Sequence, residues 1–157
     1  MSTYQIGKLF LIGAGNPEIL SVSERSFDRA MGVAALGTEG LILAGHNAIW
    51  RFANVLPAGQ SLEGHDAVFV PRRAWYTGHL HAHDVAAAPS GTPIFANMLF
   101  SCLACVDSTS GFRSVWAPPF ISRLTPDDRC HPKGLAVDAE GRPRHVTAAA
   151  QPDTAWG

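Results

Sequence analysis

Short apolar runs broken by glycine-containing turns recur along the chain at a spacing of about fifty residues. Gly32-Val33-Ala34 leads through Thr38-Glu39-Gly40 to Leu41. Asp84-Val85-Ala86 leads through Ser90-Gly91-Thr92 to Pro93, and Gly134-Leu135-Ala136 through Glu140-Gly141-Arg142 to Pro143. Each copy has the form of a β-hairpin, two short apolar runs joined by a turn whose glycine accepts positive φ. A period of roughly 40–50 residues made of strands predicts propeller blades, since one such sheet cannot cover both faces until neighbours stack on it.

The same pattern divides the whole chain. Residues 1–25 predict an outer half-blade, with strands over 4–12 and 19–22 about a turn from Gly13 to Pro17. Residues 26–76 predict a first blade with strands at 32–35, 41–44, 48–52 and 67–70, and residues 77–127 a second with strands at 85–88, 94–97, 101–106 and 113–116. Residues 128–157 retain an inner half-blade, 135–138 and 144–148. The expected fold is therefore all-β, a single propeller-like domain of about three four-stranded blades and part of a six-bladed ring. A β-sandwich also has short strands and regular turns but predicts no matching repeat register. Propellers close with about four to eight blades, so three leave sheet edges open. Truncation of a longer product is the favoured explanation. The other is a homodimer in which the leading hairpin of one copy completes the trailing hairpin of the next.

Composition narrows the partners. With 157 residues, 46% of them hydrophobic, the chain can bury a core. Twelve basic against thirteen acidic residues leave no electrostatic footprint for nucleic acid or an anionic membrane. There is no apolar run of spanning length and no basic leader before an apolar stretch, so a cytoplasmic location is expected. Three cysteines, an odd number, fit reduced thiols better than a disulfide framework.

Seven histidines are the unusual part. Aligning the repeats places Arg29 with His81 and His131, and Met31 with His83 and Lys133, each set just before an innermost strand. In a propeller that position faces the central channel. Arg29, His81, His83, Asp84, Arg129, His131 and Lys133 are thus candidates for one polar mouth that takes a small molecule or peptide. His81, His83, Asp84 and His131 have the donor types of a divalent metal site, in which an open position would activate water. In an extended segment His79, His81 and His83 share one face, which equally fits a row of solvated histidines. The pair His83-Asp84 equally fits a lock between blades, with its polar groups satisfied internally. Cys102 and Cys105, three apart on a strand, face opposite sides and do not form a redox or zinc pair. Cys130 lies beside His131 and Arg129, which favour a thiolate, but burial is the simpler role. Trp50, Trp75 and Trp116 are expected to pack between blades, and Arg72-Arg73 to lie in a solvated connector. A propeller face that binds protein without catalysis fits the same pattern.

Several motifs carry a resemblance: Phe27-Asp28-Arg29-Ala30-Met31-Gly32-Val33-Ala34, Ile49-Trp50-Arg51-Phe52, Phe100-Ser101-Cys102-Leu103-Ala104, Trp116-Ala117-Pro118-Pro119-Phe120-Ile121-Ser122 and Asp128-Arg129-Cys130-His131. In these the chain resembles an uncharacterised bacterial family of conserved hypothetical proteins with a propeller-like repeat. More loosely, Gly134 to Gly141 is similar to blades of lactonase-like and NHL-type propellers. The resemblance implies a longer complete domain. Pro132-Lys133 stands where the family pattern has Leu-Asn, so a cation replaces a neutral amide and disfavours a metal at that point.

Overall fold

A computed structural model describes residues 1–16, 19–151 and 153–154. These residues form strands and no helix, and so no helix long and apolar enough to cross a membrane. The strands form four antiparallel sheets. The leading one contains β1 (Ser2–Thr3), β2 (Lys8–Asn16) and β3 (Ile19–Ser26). A four-stranded blade follows, β4 (Val33–Leu36), β5 (Gly40–Ala44), β6 (Ala48–Asn54) and β7 (Phe69–Tyr76). The second blade is β8 (Ala82–Ala87), β9 (Pro93–Asn97), β10 (Cys102–Asp107) and β11 (Gly111–Trp116), and the trailing hairpin is β12 (Pro132–Val137) with β13 (Pro143–Ala148). Every ladder joins strands adjacent in sequence, as a propeller blade requires.

Alternation along the central strands explains how the sheets stack. On β5, Leu41 and Leu43 face Leu9 of the leading sheet, whereas Ile42 and Ala44 join Val85, Phe95, Cys102 and Ala104 of the second blade. On β10, Leu103 and Cys105 turn the other way, towards Leu135 and Val146 of the trailing hairpin. Successive residues serve opposite interfaces because the side-chain period of a strand is two. Buried on both faces, β5, β9 and β10 carry nearly unbroken apolar sequence. Cys102 and Cys105 do face opposite sides, and burial pushes the Cys102 thiol up to about 11.

The innermost strands meet closely. β8 packs against β4 and β12. Gly32, at the entrance to β4, lies so close to β8 that a Cβ there would sit 2.6 Å from Asp84 Cα. The Asp84 carboxylate accepts the amide of Val85 through Oδ1 and that of Leu135 in the trailing hairpin through Oδ2, both at 2.9 Å. The carboxylate thus ties the second blade to the trailing hairpin.

Departures from the expected strands lie mostly outside the inner hairpins. Residues 4–7 form a turn, because Gly7 adopts φ +60° and approaches the Phe27 carbonyl too closely for any side chain. Gly13 to Asn16 belong to β2 instead of a turn, with a bulge there in the pairing to β3; Pro17 lies outside the described residues. Arg72 and Arg73 are in the outer strand β7, and Arg73 lies over the Trp75 ring, its Cζ 4.9 Å from the ring centroid. Trp50 and Trp75 pack against the core clusters, whereas Trp116 is 45% exposed.

Candidate functional site at the entrance rim

The residues that precede each innermost strand share a backbone conformation. Arg29, His81 and His131 have φ of +46°, +49° and +51°, in the left-handed region, which costs an L-residue with a Cβ on the order of 1–2 kcal/mol. The conformation reverses the chain into β4, β8 and β12. It is held by equivalent backbone bonds: His46 N–H donates to Asp28 O, Leu99 N–H to Leu80 O, and Ala149 N–H to Cys130 O. In the third copy Ser101 Oγ also accepts the amides of Arg129 and Cys130, at 2.7 and 3.1 Å.

These corners gather five of the seven histidines into two groups. His46, in the turn between β5 and β6, stacks on His79 with ring centroids 4.0 Å apart, and His79 lies 4.1 Å from His81. Beyond them His83 lies 5.4 Å from His131 and 6.4 Å from the Tyr4 ring. The Arg29 guanidinium carbon is 5.9 Å from the Tyr4 ring centroid. The single row expected of His79, His81 and His83 is therefore split, because the left-handed turn at His81 interrupts the extended alternation. Among the described residues no group of three or more His, Cys, Asp or Glu side chains could hold a metal ion. His81, His83, Asp84 and His131 are distributed over different contacts.

Electrostatics differ around the rim. Partial desolvation holds the His79 ring below its ordinary value, helped by His46 and Arg29 and opposed by Asp28. Burial does the same to His81, with His79, Arg29, His46 and His83 adding to it. His83 is lowered by burial, then by His131 and Lys133, against Asp128. The Asp128 carboxylate meets His131 Nδ1 at 2.6 Å, the arrangement that fixes the orientation and tautomer of an imidazole.

The other candidates fall in different places. Arg129 is buried and committed to structure: it donates to Asp153 Oδ1 at 2.7 Å and to Asp127 Oδ2 at 3.2 Å. Asp84 is occupied by its two amides. Lys133 is exposed beside His83. Burial raises the Cys130 thiol, which removes the basis for an activated thiolate. Sequence reasoning missed His46, Tyr4 and the orienting Asp128. His46 left a trace in Gly45-His46-Asn47, which marks a turn at the same end of the blade as the entrance to β4, and Asp128 in the Asp128-Arg129-Cys130-His131 run. A separate cleft of about 310 Å³ between the leading hairpin and residues 65–69 contains Arg25, His65 and Asp66 and none of the rim residues.

No curated protein and no solved structure matches this chain. Its all-β sheets, its repeat and its motifs belong together over the full length, and a family model covers residues 1–157: the chain belongs to the family described as a domain of unknown function, DUF4915.

Proposed function

We propose that the entrance rim binds a small molecule or a peptide, with Arg29, His81, His83, His131 and Lys133 as contact residues. The observation that carries this is the left-handed backbone at Arg29, His81 and His131, three equivalent corners with long side chains where glycine would be relaxed. Strain of this kind concentrates where function requires a side chain to be placed. The His131–Asp128 pair gives the rim an oriented imidazole that can accept or donate a proton, so acid–base chemistry on the ligand is compatible with it. The proposal does not call on a metal. A thermal-shift screen of small molecules and peptides is expected to yield ligands that His81→Asn weakens about tenfold, the worth of one hydrogen bond to a charged group. Asparagine tolerates the left-handed region, so the fold is kept. Ligands indifferent to both His81→Asn and Lys133→Gln would place the binding site elsewhere.

A second reading, a protein-interaction role, is favoured by the two incomplete sheets. Ile12 and Val22, paired across β2 and β3, are 57% and 60% exposed, and among the described residues the trailing sheet has an inner pair of strands alone. The leading hairpin of a second copy fits as the outer pair of the trailing sheet, and the reciprocal exchange makes two further complete blades. In this reading the two copies contribute six blades to one ring. Light scattering is expected to give a dimer that Val22→Lys dissociates. A monomer at concentrations of about 100 μM, well above typical homodimer affinities, would sink it.

A further inference from the structure

The rim contains three carboxylates and two permanent cations, and they differ in what they have left to offer. Asp84 is taken up by two backbone amides, whereas Asp128 engages His131 through Oδ2 and keeps Oδ1 buried with no hydrogen-bond partner among the described residues. Asp28 alone is exposed, and its influence reaches His79. Arg29 and Lys133, by contrast, form no ion pair among the described residues. Arg29 lies between the two histidine groups: it touches Tyr4, which stacks on His83, and its charge is felt by both His79 and His81. On the His81 side, His46 Nδ1 is buried without a hydrogen-bond partner among the described residues. Stacked imidazoles do not point their lone pairs at one centre, as a metal requires. Their N–H edges, beside a guanidinium, form a set of donors instead.

We infer that the ligand of this rim is a small anion bearing carboxylate or phosphate oxygens, held by Arg29 and Lys133 between the two histidine groups; the inference rests on the rim being a ligand site. A guanidinium matches paired anionic oxygens through its planar fork. In the free protein burial and neighbouring positive charge oppose protonation of His81 and His83. A bound anion reverses that balance, so protons enter from solvent onto the rings as the ligand binds, and affinity falls as pH rises. The groups that set this response are Asp28 and Arg29 before β4, His46 after β5, His79, His81 and His83 before and within β8, and Asp128, His131 and Lys133 around β12.

The test follows histidine ring signals by NMR in the full chain during titration with succinate, inorganic phosphate, uncharged succinamide and the dication putrescine. The expected result is that an anion moves the His81 and His83 signals together while succinamide and putrescine do not. Arg29→Gln should weaken binding by about 10–100-fold, the range for a charged hydrogen bond. Lys133→Gln, at an exposed position that does not endanger the fold, should weaken it several-fold, and Asp28→Asn should tighten it. Calorimetry with succinate in two buffers of different ionisation enthalpy is expected to show net proton uptake at neutral pH. Response to succinate alone or phosphate alone identifies which oxygens are read. Equal response to succinamide or putrescine, or binding insensitive to Lys133→Gln, overturns the anionic class and leaves the rim as a ligand site. No response to any probe overturns both.

Discussion

Gly32→Ala is expected to destabilise the protein by about 3 kcal/mol, the upper part of the range for overpacking. The added methyl would lie 2.6 Å from Asp84 Cα, 2.7 Å from Val85 N and 2.9 Å from Asp84 C. All three are backbone atoms of the neighbouring blade, so no rotamer change relieves the contact and the two innermost strands must separate. Separation also moves the carboxylate that holds the Leu135 amide, and damage at the first interface therefore reaches the trailing hairpin. Urea unfolding measures the first effect and amide exchange at Leu135 the second. Gly37→Ala is the comparison: Gly37 has φ +56° and nothing within 4 Å of its notional Cβ, so only the backbone cost of about 1 kcal/mol applies. If Gly32→Ala costs no more than Gly37→Ala, the blades do not pack through this contact.

Acidification is expected to unfold the protein more readily than its formal charge of −1 would imply. His79, His81 and His83 are each held below the ordinary value of 6.5 in the folded state. The unfolded chain protonates them as pH falls through that value, whereas the folded protein resists, so below about 6.5 the unfolded state binds more protons. Stability from this source is fully present above 6.5 and is lost progressively as pH falls through the lower folded-state values. The stacked pair His46–His79 and its neighbour His81 join the rims of two blades, and like charge there opposes their contact. The urea midpoint should drop between pH 7.5 and 5.5. In His81→Asn/His83→Asn the drop should shrink, since asparagine does not titrate. An unchanged pH dependence in that variant would remove the rim as the cause.

The inner hairpins were readable because two independent signals coincide in them, a glycine turn and apolar residues on both faces. β5, expected at 41–44, is Gly40–Ala44, and β9, expected at 94–97, is Pro93–Asn97. Outer strands are half-solvated and mix arginine with tryptophan, so β7 was legible only in part. The rim divided in the same way. Equivalence of Arg29, His81 and His131 follows from counting along the repeat, and all three share one backbone conformation. What counting does not reveal is a single residue that reverses chain direction: a left-handed φ at His81 separates His83 from His79 although both lie two residues away. Contacts from other parts of the chain had no periodic signal: Tyr4 comes from the leading sheet, and His46 shares its backbone position with Leu99 and Ala149, which carry no imidazole. Arg129 lies in the charged Asp128-Arg129-Cys130-His131 run, but its partner Asp153 is 24 residues away, and only packing brings them together.

Each sheet joins only strands adjacent in sequence, which bears on how the molecule is made. Pairing within a blade requires only short loops to close, and such contacts form early and cheaply in chain entropy. A blade emerging during synthesis can therefore complete its hydrogen-bond ladders before the next one exists, and the apolar faces wait for their neighbours. The Asp84–Leu135 bond spans 51 residues and forms only when the trailing hairpin arrives. Finished sheets can then stack on one another, with Asp84 as a latch between the second blade and the trailing hairpin.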